Sequence, residues 1–388
     1  MFLQIHFLTS YHATLLNRDD VGLAKRISFG GQQRLRVSSQ CQKRHWREWM
    51  LDHTELPRGY RTRYFFSRIV RRRLVAAGMA ESLATSLTFE LGIALGLFSP
   101  SDDPQKLAMK QPVLFGKPEA DFFVDLIRKA AAQGDEKSAV TYLQSEIKNS
   151  KANFKALLEQ AGLSSLQSGF EGALFGRFVT SDIMTRVDAP VHVAHAFTTH
   201  ALDTEVDFFT VVDDLSEDET GAAHANDAEL GGGVYYGYVV VDIPLLISNL
   251  TGCERQEWRE HVSDEARELL RLLIHAIAQV SPGAKLGATA PYAKAECVLI
   301  EVGQEQPRSL ANAFLQPIKI ERRDTQAMQL SIGALKNYME ALDVMYGPGH
   351  EQRFAAVLPI YEWDGTSENL PLREAIDRSL DTAFGDQR

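Results

Sequence analysis

The sequence is first informative for what it lacks. Its 388 residues contain three cysteines, Cys41, Cys253 and Cys297, and none forms a Cys-x-x-Cys pair. A disulfide framework or a zinc knuckle is therefore not expected. No window approaches the roughly 18 uncharged apolar residues of a membrane-spanning helix, and the amino terminus has no signal-peptide pattern. We expect a cytoplasmic protein with no membrane partner.

The motifs of common enzyme classes are missing as well. There is no GxSxG turn, no GxxxxGK[ST] phosphate loop and no GxGxxG after a strand. His192, His195 and His200, with Asp203 and Asp207 nearby, carry metal-competent side chains, but their spacing is not that of HExxH and their setting is apolar. The acidic stretch that follows lacks the spacing of a calcium loop. The sequence therefore predicts no nucleotide hydrolysis, no metal site and no cofactor.

The charge is distributed unevenly along the chain. The net charge is −10, yet residues 1–73 hold 15 Lys or Arg against 5 Asp or Glu. Residues 203–229 show the opposite bias, with ten acids and no Lys or Arg. An acidic protein with a basic first fifth is expected to bind a polyanion on one surface and something else on another.

Hydrophobic periodicity predicts an α+β fold. Residues 2–8 and 233–246 alternate as strands, residues 257–280 have apolar positions at helical spacing, and residues 295–302 form a further short apolar run. Another helix is expected to begin near 309. Strands separated by helices favour a small antiparallel sheet with helices on one face, as in ferredoxin-like folds.

Two segments interrupt this pattern. Residues 61–172 are rich in Ala and Leu and are broken by Gly and Pro, which predicts a helical insertion. Residues 195–232 are acidic and end in a run of glycines, which predicts a protruding loop or hairpin.

The basic residues near the amino terminus surround glycines and a helix start. Gly30 and Gly31 allow close backbone approach, and Ser38 or Ser39 can cap a helix whose amino end favours anions. In that helix Gln40, Lys43, Arg44 and Arg47 share one face, while Trp46 and Trp49 can turn to the core. Further cations precede the helix: Arg18, Lys25, Arg26, Arg34 and Arg36. Together they predict a cradle for a phosphate backbone.

A second basic run follows the first. Taken by itself, this second run is interpreted as a solvated helix face or as a contact with a partner subunit. Its members are Arg61, Arg63, Arg68, Arg71, Arg72 and Arg73. A separate pair, Arg177 and Phe178, offers a cation beside an aromatic ring, which suits a stacked base.

Ordered motifs over most of the chain resemble a known family, the backbone subunit of type I-E CRISPR surveillance complexes (the CasC family of Cascade, in the RAMP superfamily). The motifs are Asn17-Arg18-Asp19-Asp20, Phe29-Gly30-Gly31, Arg36-Val37-Ser38-Ser39-Gln40, Lys43-Arg44, Gly176-Arg177, the run from Ala194 to His200, Phe209-Thr210, Val212-Asp213-Asp214-Leu215, Pro282-Gly283-Ala284-Lys285 and the run from Ser309 to Phe314. Together they are specific, although each alone is not.

The resemblance implies a right-hand shape: an RRM-like palm (1–56, 181–194 and 234–388), a helical fingers insertion (57–180) and a protruding thumb hairpin (195–233). It also implies that several copies stack into a filament along CRISPR RNA beside other Cascade subunits, without catalysis. The protein would then hold the guide's shape and charge, while base pairing with the target DNA strand supplies sequence specificity.

The resemblance also assigns RNA contacts residue by residue. They are Arg18, Lys25, Ser38, Gln40, Lys43, Arg44 and Arg47, with Arg177 and Lys285 as further cations and Phe178 at the position of a base wedge. Gln32 and Gln33 stand where relatives can carry cations, so a weaker grip on phosphate is expected there.

Two alternatives stay open. Related backbone subunits of type III systems cut RNA with a loop aspartate, so Asp19 or Asp20 could make this chain a guide-dependent RNA endonuclease. Adjacent carboxylates more often hold a neighbouring arginine or cap a turn. The chain could also be an RNA-binding module that acts as a monomer.

Overall fold

A computed structural model describes residues 1–149, 169–177, 187–211, 224–319, 326–347, 351–365 and 367–385. The chain divides into two compact units. The first comprises residues 1–54, 192–243 and 263–388, and the second comprises 55–191 and 244–262. The predicted fingers (57–180) fall within the second unit, which continues to residue 191 and also includes residues 244–262. Sequence periodicity does not show that residues 244–262 belong to this unit.

The first unit is built on an antiparallel sheet. Its strands are β1 (Phe2–Thr14), β2 (Arg26–Phe29), β3 (Gln32–Val37), β7 (Ala196–Thr198), β9 (His224–Asp242), β10 (Cys297–Gly303) and β11 (Gln352–Val357), hydrogen-bonded in the order β11-β10-β1-β9-β7-β3-β2. Two further strands, β6 (Val191–Val193) and β8 (Thr204–Val211), pair with β9.

The centre of this sheet has ferredoxin-like topology. The strands β10-β1-β9-β7 lie in spatial order 4-1-3-2, with α1 (Ser39–Leu51) after the first strand and α8 (Asp264–Gln279) after the third. The two helices pack against each other, and the short α9 (Leu286–Thr289) follows α8 in the chain. The predicted α+β class and ferredoxin-like palm are therefore confirmed.

Helices cover both faces of the sheet. Leu8, Tyr236 and Leu299 lie in one core with Ile332 and Leu335 of α10 (Ala327–Tyr346). On the other side are α1, α8 and α11 (Leu372–Phe384), where the Phe7 ring meets the Trp46 ring edge-on at 6.5 Å. Burial from both sides explains why β1 is almost wholly buried rather than half exposed.

Several predicted boundaries are wrong for local reasons. The strand predicted over 233–246 ends at Asp242, and α7 (Ile243–Thr251) begins there because Pro244 suits a first helical turn. The helix predicted over 257–280 is split into a 3₁₀ helix (Arg255–His261) and α8, since Ser263 caps the latter by accepting the Ala266 N–H. The helix expected from 309 is a short 3₁₀ turn, Ala311–Phe314.

The second unit is mainly helical with one small hairpin. Its elements are β4 (Gly59–Thr62), a π-helical segment (Phe66–Arg71), α2 (Arg72–Ala76), α3 (Glu81–Ala94), β5 (Val113–Gly116), α4 (Lys117–Ala131), α5 (Glu136–Asn149) and α6 (Gly169–Phe175). A cluster of buried phenylalanines, including Phe65, Phe66, Phe115 and Phe123, lies in the core shared by the elements from β4 to α5. A helical insertion is present, although sequence periodicity does not reveal the β4–β5 pair.

The acidic projection is only partly described. Strands β8 and β9 pair antiparallel from Thr204–Gly231 to Val211–His224, and residues 212–223 lie outside the described residues. The predicted thumb (195–233) includes β7, which instead belongs to the central sheet, between β3 and β9. The hairpin as described starts at Thr204.

Candidate nucleic-acid interface

The loop between β1 and β2 is fastened to the start of α1. The Lys25 N–H donates to the Asn17 carbonyl oxygen at 2.9 Å, and the Ser38 N–H donates to the Asn17 side-chain oxygen at 2.9 Å. The Arg36 N–H donates to the Lys25 carbonyl oxygen at 2.8 Å. Asn17 thus joins the loop to the start of α1, and Lys25 joins it to strand β3.

Asp19 shapes this loop internally. One oxygen of its carboxylate accepts the N–H groups of Val21 at 3.1 Å and Leu23 at 2.8 Å, which is an Asx-type turn. The side chain of Asp20 is exposed. The turn-capping interpretation of the acidic pair therefore holds for Asp19.

Glu229 of β9 holds the same loop from the other side. Its buried carboxylate accepts the Ala24 N–H at 2.9 Å and forms an ion pair with Arg26. Sequence reasoning missed this contact, because Glu229 is one of ten acids in a stretch that the sequence predicts to protrude.

The glycines of the β2–β3 turn serve the chain's own packing. Gly30 and Gly31 have φ values of 61° and 76°, in the left-handed region of the tight turn. A Cβ on Gly30 would lie 1.6 Å from the carbonyl oxygen of Leu315, whereas one on Gly31 would meet nothing within 4 Å. The close approach expected of a ligand at Gly30 is made by Leu315 instead.

Arg34 is not available to a phosphate. It is fully buried and donates to the carbonyl oxygens of Thr198 and Phe314, both at 2.9 Å. Burial lowers the pKa of its guanidinium. Its inclusion in the predicted cradle is therefore wrong; it ties the hairpin to neighbouring segments of its own unit.

Helix α1 has the predicted start and the predicted orientation. The Ser38 hydroxyl accepts the Cys41 N–H at 3.3 Å as the N-cap, so Ser38 is buried and already engaged. Gln42, Trp46 and Met50 are buried on the inner face. Gln40 and Arg44 are exposed, and Lys43 and Arg47 are half-buried on the outer side.

Cations from the loop, strand β3 and helix α1 meet around His195. Arg36 donates to His195 Nδ1 at 2.8 Å, and because arginine has only donors, this imidazole nitrogen must be an unprotonated acceptor. Partial burial and the charges of Arg36, Lys25 and Lys43 lower the pKa of His195. We call Lys25, Arg36, Lys43 and Arg44 the basic cluster. Burial raises the pKa of the Cys41 thiol, and the positive charges of Lys25 and Arg44 act in the opposite direction.

Lys285 lies in a segment fastened beside this site. The Ala284 N–H donates to the Leu15 carbonyl oxygen at 2.9 Å, two residues before Asn17. Ala284 packs with Leu16, Ala24 and other residues under the loop. Two motifs separated by more than 250 residues in sequence therefore lie side by side.

Arg177 lies in the second unit and has another role. Its guanidinium is buried and lies 2.5 Å from the buried carboxylate of Glu119. This ion pair accounts for Arg177 without RNA, so we omit it from the interface. Phe178 lies outside the described residues.

The histidines considered as metal ligands do not assemble. His200 is buried with Nδ1 2.8 Å from the Ala201 carbonyl oxygen, and a Cβ on Gly233 would meet its ring at 1.9 Å. His195 is engaged with Arg36. Among the described residues no group of three His, Cys, Asp or Glu is arranged to hold a metal ion.

Within the same residues, no helix has the length and apolar character needed to cross a bilayer.

The fold places the chain in a class. A solved structure described as "CRISPR RNA-guided surveillance complex, pre-nicking" contains a chain 26% identical to this one, with a TM-score of 0.79 over 99% of this chain and 100% of that one. A second, described as "CRISPR RNA-guided surveillance complex", gives 22% identity and a TM-score of 0.70 over the same shares. The chain therefore has the fold of a Cascade-type CRISPR subunit.

The family follows from the sequence itself. The profile of the CT1975-like protein family (Cas_CT1975) matches residues 3–381, and the chain belongs to this family. No curated protein matches it in the corresponding sequence comparison.

Proposed function

We propose that this chain is the RNA-binding backbone subunit of a type I-E Cascade complex and works in the cytoplasm. The observation that carries the proposal is the basic cluster, since Lys25, Arg36, Lys43 and Arg44 come from three elements that Asn17 and Ser38 fix in place. Fixed cations on a rigid sheet and helix suit the phosphates of an RNA backbone and carry no base preference.

In this proposal several copies assemble along one CRISPR RNA. Each copy grips a segment of the guide and presents it to a target DNA strand, and other Cascade subunits complete the complex. The chain itself performs no cleavage. Arg18, Gln40, Arg47 and Lys285 extend the grip around the basic cluster.

Assembly along RNA is tested with guides of increasing length. Size-exclusion chromatography with light scattering should show complexes whose protein mass rises in steps with RNA length. A variant in which part of the acidic projection is deleted, within residues 216–228, should stay monodisperse and folded alone but assemble poorly on RNA. A single bound copy at every RNA length would favour the monomeric module instead.

The nuclease alternative has a separate test. Asp19 is engaged by two backbone N–H groups, which leaves the exposed Asp20 as the freer carboxylate. Guide and target RNA are incubated with the chain and Mg²⁺ or Mn²⁺, with Asp19→Asn, Asp19→Ala and Asp20→Asn as controls. We expect no cleavage; cleavage that a substitution abolishes would refute the scaffold proposal.

A further inference from the structure

The second unit carries a basic surface that the proposed guide contacts do not use. Between Leu56 and Ala76 there are seven arginines and no Asp or Glu. Arg61 lies on β4, Arg68 and Arg71 on the π-helical segment, and Arg72 and Arg73 on α2. Arg58 and Arg63 flank β4 on either side. Like charges this dense repel one another.

The helical part of this surface has two opposite sides. Phe66, Val70 and Leu74 recur every four residues and are fully buried in the core of the second unit. Tyr64, Arg68 and Arg72 recur at the same interval, two residues out of step and therefore about half a turn away. All three are exposed. We call them the arginine stripe.

The stripe lacks internal counter-charges. Among the described residues no carboxylate lies within ion-pair distance of Arg68 or Arg72. The neighbouring Arg73, by contrast, lies 2.6 Å from Asp121. Within the described part of the chain, the two stripe arginines are thus uncompensated cations on a helix surface, while Arg73 is already paired.

Aromatic rings are interleaved with these cations. The Arg68 guanidinium carbon lies 4.6 Å from the centre of the Tyr64 ring, and Arg58 lies 5.0 Å from that of Tyr60. Tyr60 is half-buried, whereas Tyr64 is exposed. A planar guanidinium group beside the exposed Tyr64 ring offers a flat surface on which an unpaired base can stack, with charge for the adjacent phosphate. A duplex conceals its base faces and would use only the charge. The stripe also includes a π-helical turn, a feature found frequently at functional sites.

We propose that the arginine stripe binds a single-stranded nucleic acid, separate from the strand held by the basic cluster. Binding there is independent of sequence and is driven by phosphate contacts to Arg68 and Arg72, with base stacking at Tyr64. The chain would accordingly hold two strands at two sites.

The test uses the full chain and two labelled strands. The chain is first saturated with guide-length RNA, and a single-stranded DNA of mixed sequence with a second label is then titrated by anisotropy over a range of salt concentrations. For Arg68→Ala with Arg72→Ala, the salt slope for the second strand should fall by about 1.4, since each lost phosphate contact on a single strand removes about 0.7. Uptake of the first RNA should not change.

Matched variants separate the contributions. Arg73→Ala removes a cation that lies off the stripe and is paired with Asp121, so it should lower the salt slope less than the loss of either stripe arginine. Tyr64→Ala removes the ring without altering charge and should weaken binding about five-fold or more. If the chain takes up no guide RNA, the same titration is run on the bare chain, so failure of the guide site does not obscure the stripe.

Three results would overturn the inference. One is an unchanged salt slope in the double arginine variant. Another is preference for duplex DNA over single strands, which would assign the surface to a duplex backbone. The third is a pair of observations: the unmodified chain binds no second strand, and the double arginine variant loses the self-association that the unmodified chain shows. That result would mean that the stripe contacts an acidic segment of another copy.

Discussion

Removal of two cations from helix α1 tests the basic cluster most directly. Lys43→Ala with Arg44→Ala leaves the inner face of Trp46 and Met50 intact and introduces a residue with high helix propensity. The pair lost, Arg44 with Glu48 at 2.9 Å, is exposed and contributes about 0.3–0.5 kcal/mol. The variant should therefore fold with nearly normal stability.

The expected loss of RNA affinity follows from counterion release. Each phosphate contact on a single strand contributes about 0.7 to the slope of log affinity against log salt, so two contacts contribute about 1.4. If the two contacts contribute nothing to affinity near 1 M salt, the double variant should bind RNA about 25-fold more weakly than the unmodified chain at 0.1 M salt. The loss should be alike for unrelated RNA sequences, because phosphates carry no base identity.

The assay is fluorescence anisotropy of labelled RNA titrated at several salt concentrations. Arg373→Ala is the matched control, since this arginine is 89% exposed on α11, outside the basic cluster. It should leave the slope unchanged. An unchanged slope in the double variant would exclude α1 from the interface, and an equal fall in the control would show that only net charge matters.

Three further substitutions test the supports of the site and of the second unit. Glu229→Ala should weaken RNA binding, and because it leaves the buried Ala24 N–H without its acceptor it should cost about 1–3 kcal/mol in urea denaturation. Gly30→Ala should destabilise the fold more than Gly31→Ala, since the latter incurs only the left-handed backbone cost of about 1–2 kcal/mol, and equal losses would contradict the contact with Leu315. Arg177→Ala should cost about 3–5 kcal/mol by leaving a buried carboxylate unpaired, whereas an exposed RNA contact would cost little stability.

Local patterns predict the helix at the interface well. The cap at Ser38, the buried positions of α1 and its polar face all follow from side-chain type and helical spacing. The same patterns also predict the α+β class, because the strands and helices alternate in a characteristic order. Contacts between residues close in sequence depend on their spacing along the chain, so these contacts can be predicted from the sequence.

Contacts distant in sequence were not recoverable. Arg34 and Arg36 are two residues apart and point to the same side of β3 by alternation, yet Arg34 is buried and Arg36 meets His195. The two arginines differ because Arg34 donates hydrogen bonds to the carbonyl oxygens of Thr198 and Phe314, which are 164 and 280 residues away in the chain. Charge alone therefore overestimates the number of cations at the interface.

Gly30 illustrates a related ambiguity. A glycine pair between short strands predicts a tight turn, and that prediction is correct. Whether the space beside such a glycine admits a ligand or another part of the chain depends on tertiary packing. Here the Leu315 carbonyl occupies it, so the turn contributes rigidity rather than a binding surface.

The contact at Glu229 changes how the charge asymmetry of the sequence is understood. The basic amino-terminal region and the acidic stretch first suggest two independent surfaces, yet the buried Glu229 carboxylate joins Arg26 and Ala24 to β9. At least one of the ten acids thus supports the basic loop. Since β9 also continues into the projection paired with β8, a displacement of β9 at this point would move the loop that precedes Lys25. The position of the proposed RNA-binding loop should therefore depend on the base of the acidic hairpin, which no count of charges along the chain would reveal.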